Sequence, residues 1–151
     1  MIIKEWLDKD LHYFLEKEFL YNTPHHYGHR SSPESTDTFY STELNPNDPL
    51  IRFLFFKLKD SLKKNLTLNR VYINVQHPNM NGSFHVDGGS TLTCIYMVTG
   101  DGAFQIKNQG KVEFEKNKLV CFDSSKLHRG LAPNQGVRIT LAFKTTEVDK
   151  Q

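Results

Sequence analysis

The sequence predicts a mainly β protein whose strands close into a double-stranded β-helix, the jelly-roll-like barrel of two facing sheets, with two N-terminal helices packed on its outside. Three observations carry this expectation. From Arg70 onward, short β-rich runs alternate with turn signals at Gly88-Gly89, Gly100-Asp101-Gly102, Asn108-Gln109-Gly110 and Asn134-Gln135-Gly136, which marks out roughly seven or eight strands. Before Arg70, two segments carry apolar residues at helical spacing instead. The 151 residues, 38% hydrophobic and 12% aromatic, supply a single core. Residues 1–151 are therefore read as one domain, with helices and a lid-like loop over 1–66 and the β-helix over 69–145.

In chain order, Leu7, Leu11, Phe14, Leu15 and Phe19 recur at helical spacing among charges, so an amphipathic helix is expected over about 3–20, its stripe facing the core. Residues 22–47 are rich in Ser, Thr, Pro, Asn and His and have no apolar period. A loop that long in a compact domain is functional or disordered: either a substrate lid carrying Tyr27, Arg30, Phe39 and Tyr40, or a mobile connection. Within it, His25-His26-Tyr27-Gly28-His29 is a competing metal signal, since clustered imidazoles bind zinc or nickel, but it lacks a carboxylate at useful spacing and a strand to hold it rigid. Asp48-Pro49 reads as an N-cap followed by proline at the first helical position. It opens a second helix in which Ile51, Leu54, Phe55, Leu58 and Leu62 share one face, while a solvated face accounts for Lys57, Lys59, Lys63 and Lys64. Cys94 and Cys121 fall in separate strands without metal spacing and read as buried free thiols rather than a disulfide.

The chemistry resides in four polar residues. Side chains two apart on a strand share a face, so His85 and Asp87 of His85-Val86-Asp87 can grip one ion while Val86 packs away from it. A third ligand must come from a distant strand. His128 fits, because it follows the apolar run Leu119-Val120-Cys121-Phe122 and the polar turn Asp123-Ser124-Ser125-Lys126. Two imidazoles and one carboxylate hold one face of Fe(II) and leave positions open for a substrate and O2. Arg138 shares a face of the last apolar strand, 136–144, with Thr140, while Val137, Ile139, Leu141 and Phe143 take the opposite face. Such a pair holds a carboxylate, the guanidinium in a bidentate way.

The ordered set Gly82-Ser83-Phe84-His85-Val86-Asp87, Leu92-Thr93-Cys94-Ile95-Tyr96, Gly100-Asp101-Gly102-Ala103-Phe104, Leu119-Val120-Cys121-Phe122-Asp123 and His128 through Arg138 to Lys144 resembles the Fe(II)- and 2-oxoglutarate-dependent dioxygenases, and within them the prolyl 4-hydroxylase-like branch. The resemblance spans 70–144, half of the chain. It implies that His85, Asp87 and His128 ligate Fe(II) as the catalytic centre, that Arg138, with Thr140, pairs with the 5-carboxylate of the co-substrate 2-oxoglutarate, and that Tyr72 is a further co-substrate contact. It also implies hydroxylation of a C–H bond at the expense of O2, with release of succinate and CO2, together with ascorbate binding and a peptide, protein or small-molecule substrate such as a prolyl residue. Arg138 follows the oxygen-sensing type of prolyl hydroxylase, not the collagen type, which carries lysine there. Met97 stands where a second tyrosine often follows the first, and the usual Gly-Gly pair of the next strand is Gly102-Ala103.

A formal charge of +2 argues against a strong electrostatic grip on nucleic acid. No stretch approaches the ~20 apolar residues of a membrane span, and Met1-Ile2-Ile3-Lys4-Glu5 has no secretory hydrophobic region, so a cytoplasmic protein is expected. Two other classes fit the same residues: a cupin-like metal enzyme that uses no oxoacid, and a binding module that keeps the fold without catalysis.

Overall fold

Along β10 (Arg138–Glu147), Ile139, Leu141 and Phe143 alternate with Arg138, Thr140, Ala142 and Lys144, and this period of two decides the architecture, because it turns one face of the strand outward to the helices and the other into the barrel. The computed structural model describes residues 1–149; the last two positions of the expected domain lie outside the described residues. β10 is the middle strand of a seven-stranded antiparallel sheet ordered β1 (Ile2–Ile3), β8 (Lys118–Asp123), β5 (Leu92–Thr99), β10, β4 (Leu66–Gln76), β3 (Phe39–Glu43) and β2 (His26–His29). Facing it is a three-stranded sheet ordered β7 (Gly110–Glu113), β6 (Ala103–Ile106) and β9 (His128–Leu131). The protein is thus mainly β, and the two sheets form a double-stranded β-helix.

Each face of the large sheet buries its own core. Val71, Ile73, Cys94, Tyr96, Leu141 and Phe143 face outward against Leu15 and Phe19 of the N-terminal helical segment and Ile51, Leu54, Leu58 and Leu62 of α2 (Pro49–Leu62). Between the sheets, Tyr72, Ile95, Met97, Phe104, Val120, Phe122 and Ala142 form a smaller cluster. Both helices therefore pack outside the barrel, as expected. Cys94 and Cys121 oppose each other on β5 and β8 and are buried free thiols. Among the described residues, no helix is long and apolar enough to cross a membrane.

The N-terminal third departs from the sequence reading in two places. The first helix, α1 (Lys9–Lys17), starts at Asp8, whose side chain accepts from the Leu11 amide at 2.9 Å, and it passes into a π-helical turn at Glu18–Asn22. Residues 2 and 3 are not helical: the two isoleucines form an edge strand opposite Val120 and Leu119, as suits β-branched side chains. Residues 22–47 are not a continuous loop either, since β2 and β3 form a hairpin that extends the large sheet past β4, Tyr40 opposing Val75 and Thr42 opposing Ile73. The FYSTE segment of β3 does alternate, with Phe39 and Ser41 buried; only one of those two is apolar, which hid the period. α2 follows expectation, with Asp48 accepting from the Leu50 amide at 2.9 Å and Pro49 opening the helix.

Candidate metal centre and its cavity

His85 and His128 meet because of a main-chain pairing. Asn79 and Gly82 interrupt the chain after β4, and the His-x-Asp segment continues as an extended stretch with a single bridging residue instead of the expected full strand. His85 exchanges both amide–carbonyl bonds with His128, at 3.0 and 2.9 Å, and the Gly82 amide bonds the Gly130 carbonyl at 2.8 Å. Residues paired in this way project to one face, and the two imidazoles lie 4.4 Å apart between ring centroids. Asp87 reaches the same point two residues on, its amide bonded to the Ser124 carbonyl at 3.0 Å.

The donor atoms converge. Nε2 of His85 lies 3.6 Å from Asp87 Oδ1, and Nε2 of His128 lies 3.3 Å from Asp87 Oδ2. Metal–donor distances of about 2.1 Å put neighbouring octahedral donors about 3 Å apart, so one ion could be held by all three. Each imidazole has its other nitrogen committed, His85 Nδ1 to the Ser83 carbonyl at 2.9 Å and His128 Nδ1 to the Lys126 carbonyl at 2.8 Å. A carbonyl only accepts, so Nδ1 carries the proton and Nε2 offers its lone pair inward. Burial lowers the His85 pKa, which favours the neutral form a metal needs. Burial alone would raise the Asp87 carboxyl, but the charge of Lys144 and its hydrogen bond outweigh it and hold the group well below the usual carboxylate range. Among the described residues, these three make the one group of metal-ligating side chains.

Other side chains fix the cluster. Thr93, fully buried on β5, donates to Asp87 Oδ2 at 2.6 Å and shares its hydroxyl with Ser124 at 2.9 Å. Lys144 forms an ion pair with the same carboxylate oxygen. Phe104 and Phe122 pack on the His128 ring at 5.5 and 4.6 Å between centroids. Sequence reasoning assigned no role to Thr93 or Lys144. For Lys144 a signal was present: the alternation that turns Arg138 and Thr140 inward also turns in Ala142 and Lys144.

A narrow cavity of about 40 Å³ joins the cluster to Arg138, with His85 and His128 among its lining residues and Tyr72, Thr140 and Arg138 along its other walls. Every residue singled out from the sequence for this site thus faces this hollow or, as Asp87 does, borders it at the cluster. Arg138 is 2% exposed. Its Nη1 donates to Gln76 Oε1 at 2.9 Å and to the Leu131 carbonyl at 2.6 Å, while Nε has no partner. No carboxylate neutralises the guanidinium among the described residues, and burial pulls its pKa down to about 10. A buried cation is costly unless it is paired, so the donor set fits the far carboxylate of an oxoacid. Gly130 makes the space: a Cβ there would come 2.8 Å from Arg138 Nη1.

A wider cavity of about 300 Å³ opens beyond the cluster to solvent, lined by His29, Arg30, Phe39, Arg70, Asp87 and Lys144 among others. Of the four residues expected over the site, Arg30 and Phe39 line this mouth, whereas Tyr27 and Tyr40 stack on each other at 5.1 Å and are not part of its wall. The 30–38 connection is tied to the segment before His85 by Ser35 and Ser83 hydroxyls 2.7 Å apart and by the Ser83 amide on Ser31 Oγ at 3.2 Å. The competing histidine cluster is dispersed: His25 bonds the Phe19 carbonyl at 2.7 Å, His26 is exposed, and His29 packs edge-on against Phe39 at 5.1 Å. Contrary to the sequence reading, a strand does run through His26–His29, with a register shift between Tyr27 and His29.

No protein-family model matches the sequence, and no curated protein matches it. Solved structures do. The viral collagen prolyl hydroxylase vCPH of Paramecium Bursaria Chlorella virus-1, in truncated form, aligns with a TM-score of 0.73 at 14% identity over 99% of this chain and 90% of its own. A prolyl hydroxylase from Trichoplax adhaerens, solved with a hypoxia inducible factor oxygen degradation domain peptide fragment, gives 0.72 at 12% identity over 97% and 83%. SnoK, a non-heme alpha ketoglutarate dependent carbocyclase from nogalamycin biosynthesis, gives 0.75 at 12% identity over 99% and 79%. At such identities the likeness is one of fold, and the fold of this chain is the one that 2OG-Fe(II) oxygenases, prolyl hydroxylases among them, are built on.

Proposed function

We propose that the protein is an Fe(II)- and 2-oxoglutarate-dependent oxygenase that hydroxylates a C–H bond of its substrate. The observation that supports this most is the narrow cavity with the metal-ligating cluster at one end and, at the other, a guanidinium that no carboxylate among the described residues neutralises, the two charges a short dicarboxylate needs. His85 and His128 through Nε2 and Asp87 through its carboxylate would hold Fe(II). Bound there with O2 and the oxoacid, the iron supplies the oxidising chemistry that yields succinate, CO2 and a hydroxylated product. The chain's own part is binding and orientation. Arg138 takes the far carboxylate on its unpaired edge, Thr140 adds a hydroxyl donor, and Tyr72 closes the wall beside them. Thr93 and the Ser124 carbonyl keep Asp87 turned to the cluster, and Ile95, Phe104 and Phe122 exclude water from its inner side.

A prolyl residue of a peptide is the finer reading, supported by the prolyl hydroxylases of the same fold. The test is succinate release from 2-oxoglutarate under O2 by the Fe(II)-loaded protein, measured first without and then with peptides and free acids. Stoichiometric succinate is the expected result. Metal binding with no succinate under any condition would leave the cupin-like enzyme that uses no oxoacid, and no metal binding would leave the inactive binding module.

A further inference from the structure

β10 and β4 face each other in four inward rungs: Arg138 with Gln76, Thr140 with Asn74, Ala142 with Tyr72, and Lys144 with Arg70. The last rung places two cations directly opposite each other across an antiparallel pair, an arrangement that costs stability unless something offsets it. Protein partners offset it in part. Arg70 Nε donates to Glu43 Oε1 at 2.7 Å, Arg70 Nη2 bonds the same oxygen, and Nη1 has no protein partner among the described residues. Lys144, 6% exposed, has only Asp87, the carboxylate that a metal would claim. The Tyr72 ring supports both cations, with the Arg70 guanidinium 4.2 Å and the Lys144 ammonium 5.7 Å from its centroid.

These cations line the mouth cavity of about 300 Å³, where Arg30 joins them; of the charged side chains in its wall, three are cationic and only Asp87 is anionic. The co-substrate does not account for them. The Arg138 and Lys144 rungs are six residues apart, roughly 20 Å at strand rise, and a five-carbon dicarboxylate held between the cluster and Arg138 leaves, among the described residues, Arg30 without an anion and Arg70 with only the exposed Glu43. Asn69, Asn74, Ser31 and Ser90 complete a polar wall. The volume is at the small end of ligand cavities and suits a small molecule.

We infer that the mouth rung of Arg70 and Lys144, with Arg30, recognises the carboxylate of the primary substrate, which is a small free acid of amino-acid or hydroxy-acid size seated so that its carbon chain lies over His85, Asp87 and His128. This rests on the oxygenase reading of the same site and takes the small-molecule substrate in place of the prolyl peptide. It assigns substrate selection to charge at one end of the ladder, as the co-substrate is selected by charge at the other.

The test is calorimetric binding to full-length protein loaded with Mn(II) and 2-oxoglutarate under argon. The probes are the common L-amino acids and small hydroxy acids, each paired with its primary amide, and end-blocked neutral peptides. At least one acid should bind tenfold or more tightly than its amide, and the preference should shrink several-fold when salt is raised from about 50 to 500 mM. Arg70→Gln should erase it. Glu43→Gln, which releases the Arg70 fork, should strengthen acid binding, and because both side chains are close to half exposed or more neither change endangers folding. Equal binding of acid and amide, a preference untouched by Arg70→Gln, binding of blocked peptides alone, or no binding by any acid overturns the inference. Succinate release by Fe(II)-loaded protein under O2, with and without each probe, is followed in parallel. Release with no acid preference sinks the mouth assignment alone, whereas acid preference with no release sinks the oxygenase reading and keeps the anion site.

Discussion

Replacing Arg138 by methionine separates a role in co-substrate binding from a role in the fold, because the two respond in different directions. Burial lowers the guanidinium to about 10, which corresponds to about 3 kcal/mol against the charged form; methionine relieves that cost. It also removes the donor to Gln76 Oε1 and to the Leu131 carbonyl, a loss of about 2–4 kcal/mol. The terms nearly cancel, so without ligand the melting temperature of Arg138→Met stays within roughly 5 °C of wild type. With 2-oxoglutarate at about 100 times its Kd and Mn(II) present, the wild type gains about 2.7 kcal/mol, a rise of roughly 5–11 °C for a chain of this size. Losing the buried charge pair costs about 3 kcal/mol of binding, which takes the same concentration below Kd and leaves a gain of about 0.3 kcal/mol, roughly 1 °C. Scanning fluorimetry with and without the oxoacid reads both numbers. A variant that keeps the full 2-oxoglutarate shift refutes the anchor assignment, and one that melts far below wild type without ligand shows the guanidinium to be structural.

Thr93→Val keeps the shape of the side chain but removes the 2.6 Å donor to Asp87; metal affinity should fall about 10–100-fold with little change in the fold, measured by Fe(II) or Mn(II) titration. Gly130→Ala puts a Cβ 2.8 Å from Arg138 Nη1 and forces the guanidinium to shift, so the 2-oxoglutarate requirement should rise about tenfold while metal affinity holds; steady-state KM and metal titration on one preparation check the split. Burial lowers the pKa of His12, so the unfolded chain binds a proton there before the folded one does. Stability is therefore retained above about pH 6.5 and lost as pH falls below it. Urea titrations between pH 8 and 5 should show a steeper acid loss in wild type than in His12→Gln, and equal slopes would exclude His12 as a source.

His85, Asp87, His128 and Arg138 were legible because the information is local: an i, i+2 pair, a histidine after an apolar run and a turn, and an arginine on the polar face of an alternating strand. The barrel was legible for a similar reason, its turns announced by residues such as Gly100, whose positive φ of 109° and closeness to the Arg138 backbone admit no side chain. What could not be read depends on register between distant strands. That Gln76 opposes Arg138, and Arg70 opposes Lys144, follows from the pairing of β4 with β10, which leaves no mark on either strand alone. The β2–β3 hairpin escaped because Ser41 and Thr42 occupy strand positions that apolar residues normally mark, and Thr93 escaped because a buried threonine reads like any β-branched strand residue until its partner Asp87 is placed.

The most direct measurement of the central claim is the coupling between metal and oxoacid in one cavity. Under argon, calorimetry of 2-oxoglutarate binding is run on metal-free protein, on protein with Fe(II), and on Fe(II)-treated His128→Ala. The account predicts tight binding only when wild-type protein carries the metal, with metal-free protein and His128→Ala weaker by tenfold or more. Equal affinity in all three samples, or none in any, would contradict a shared site for the ion and the dicarboxylate.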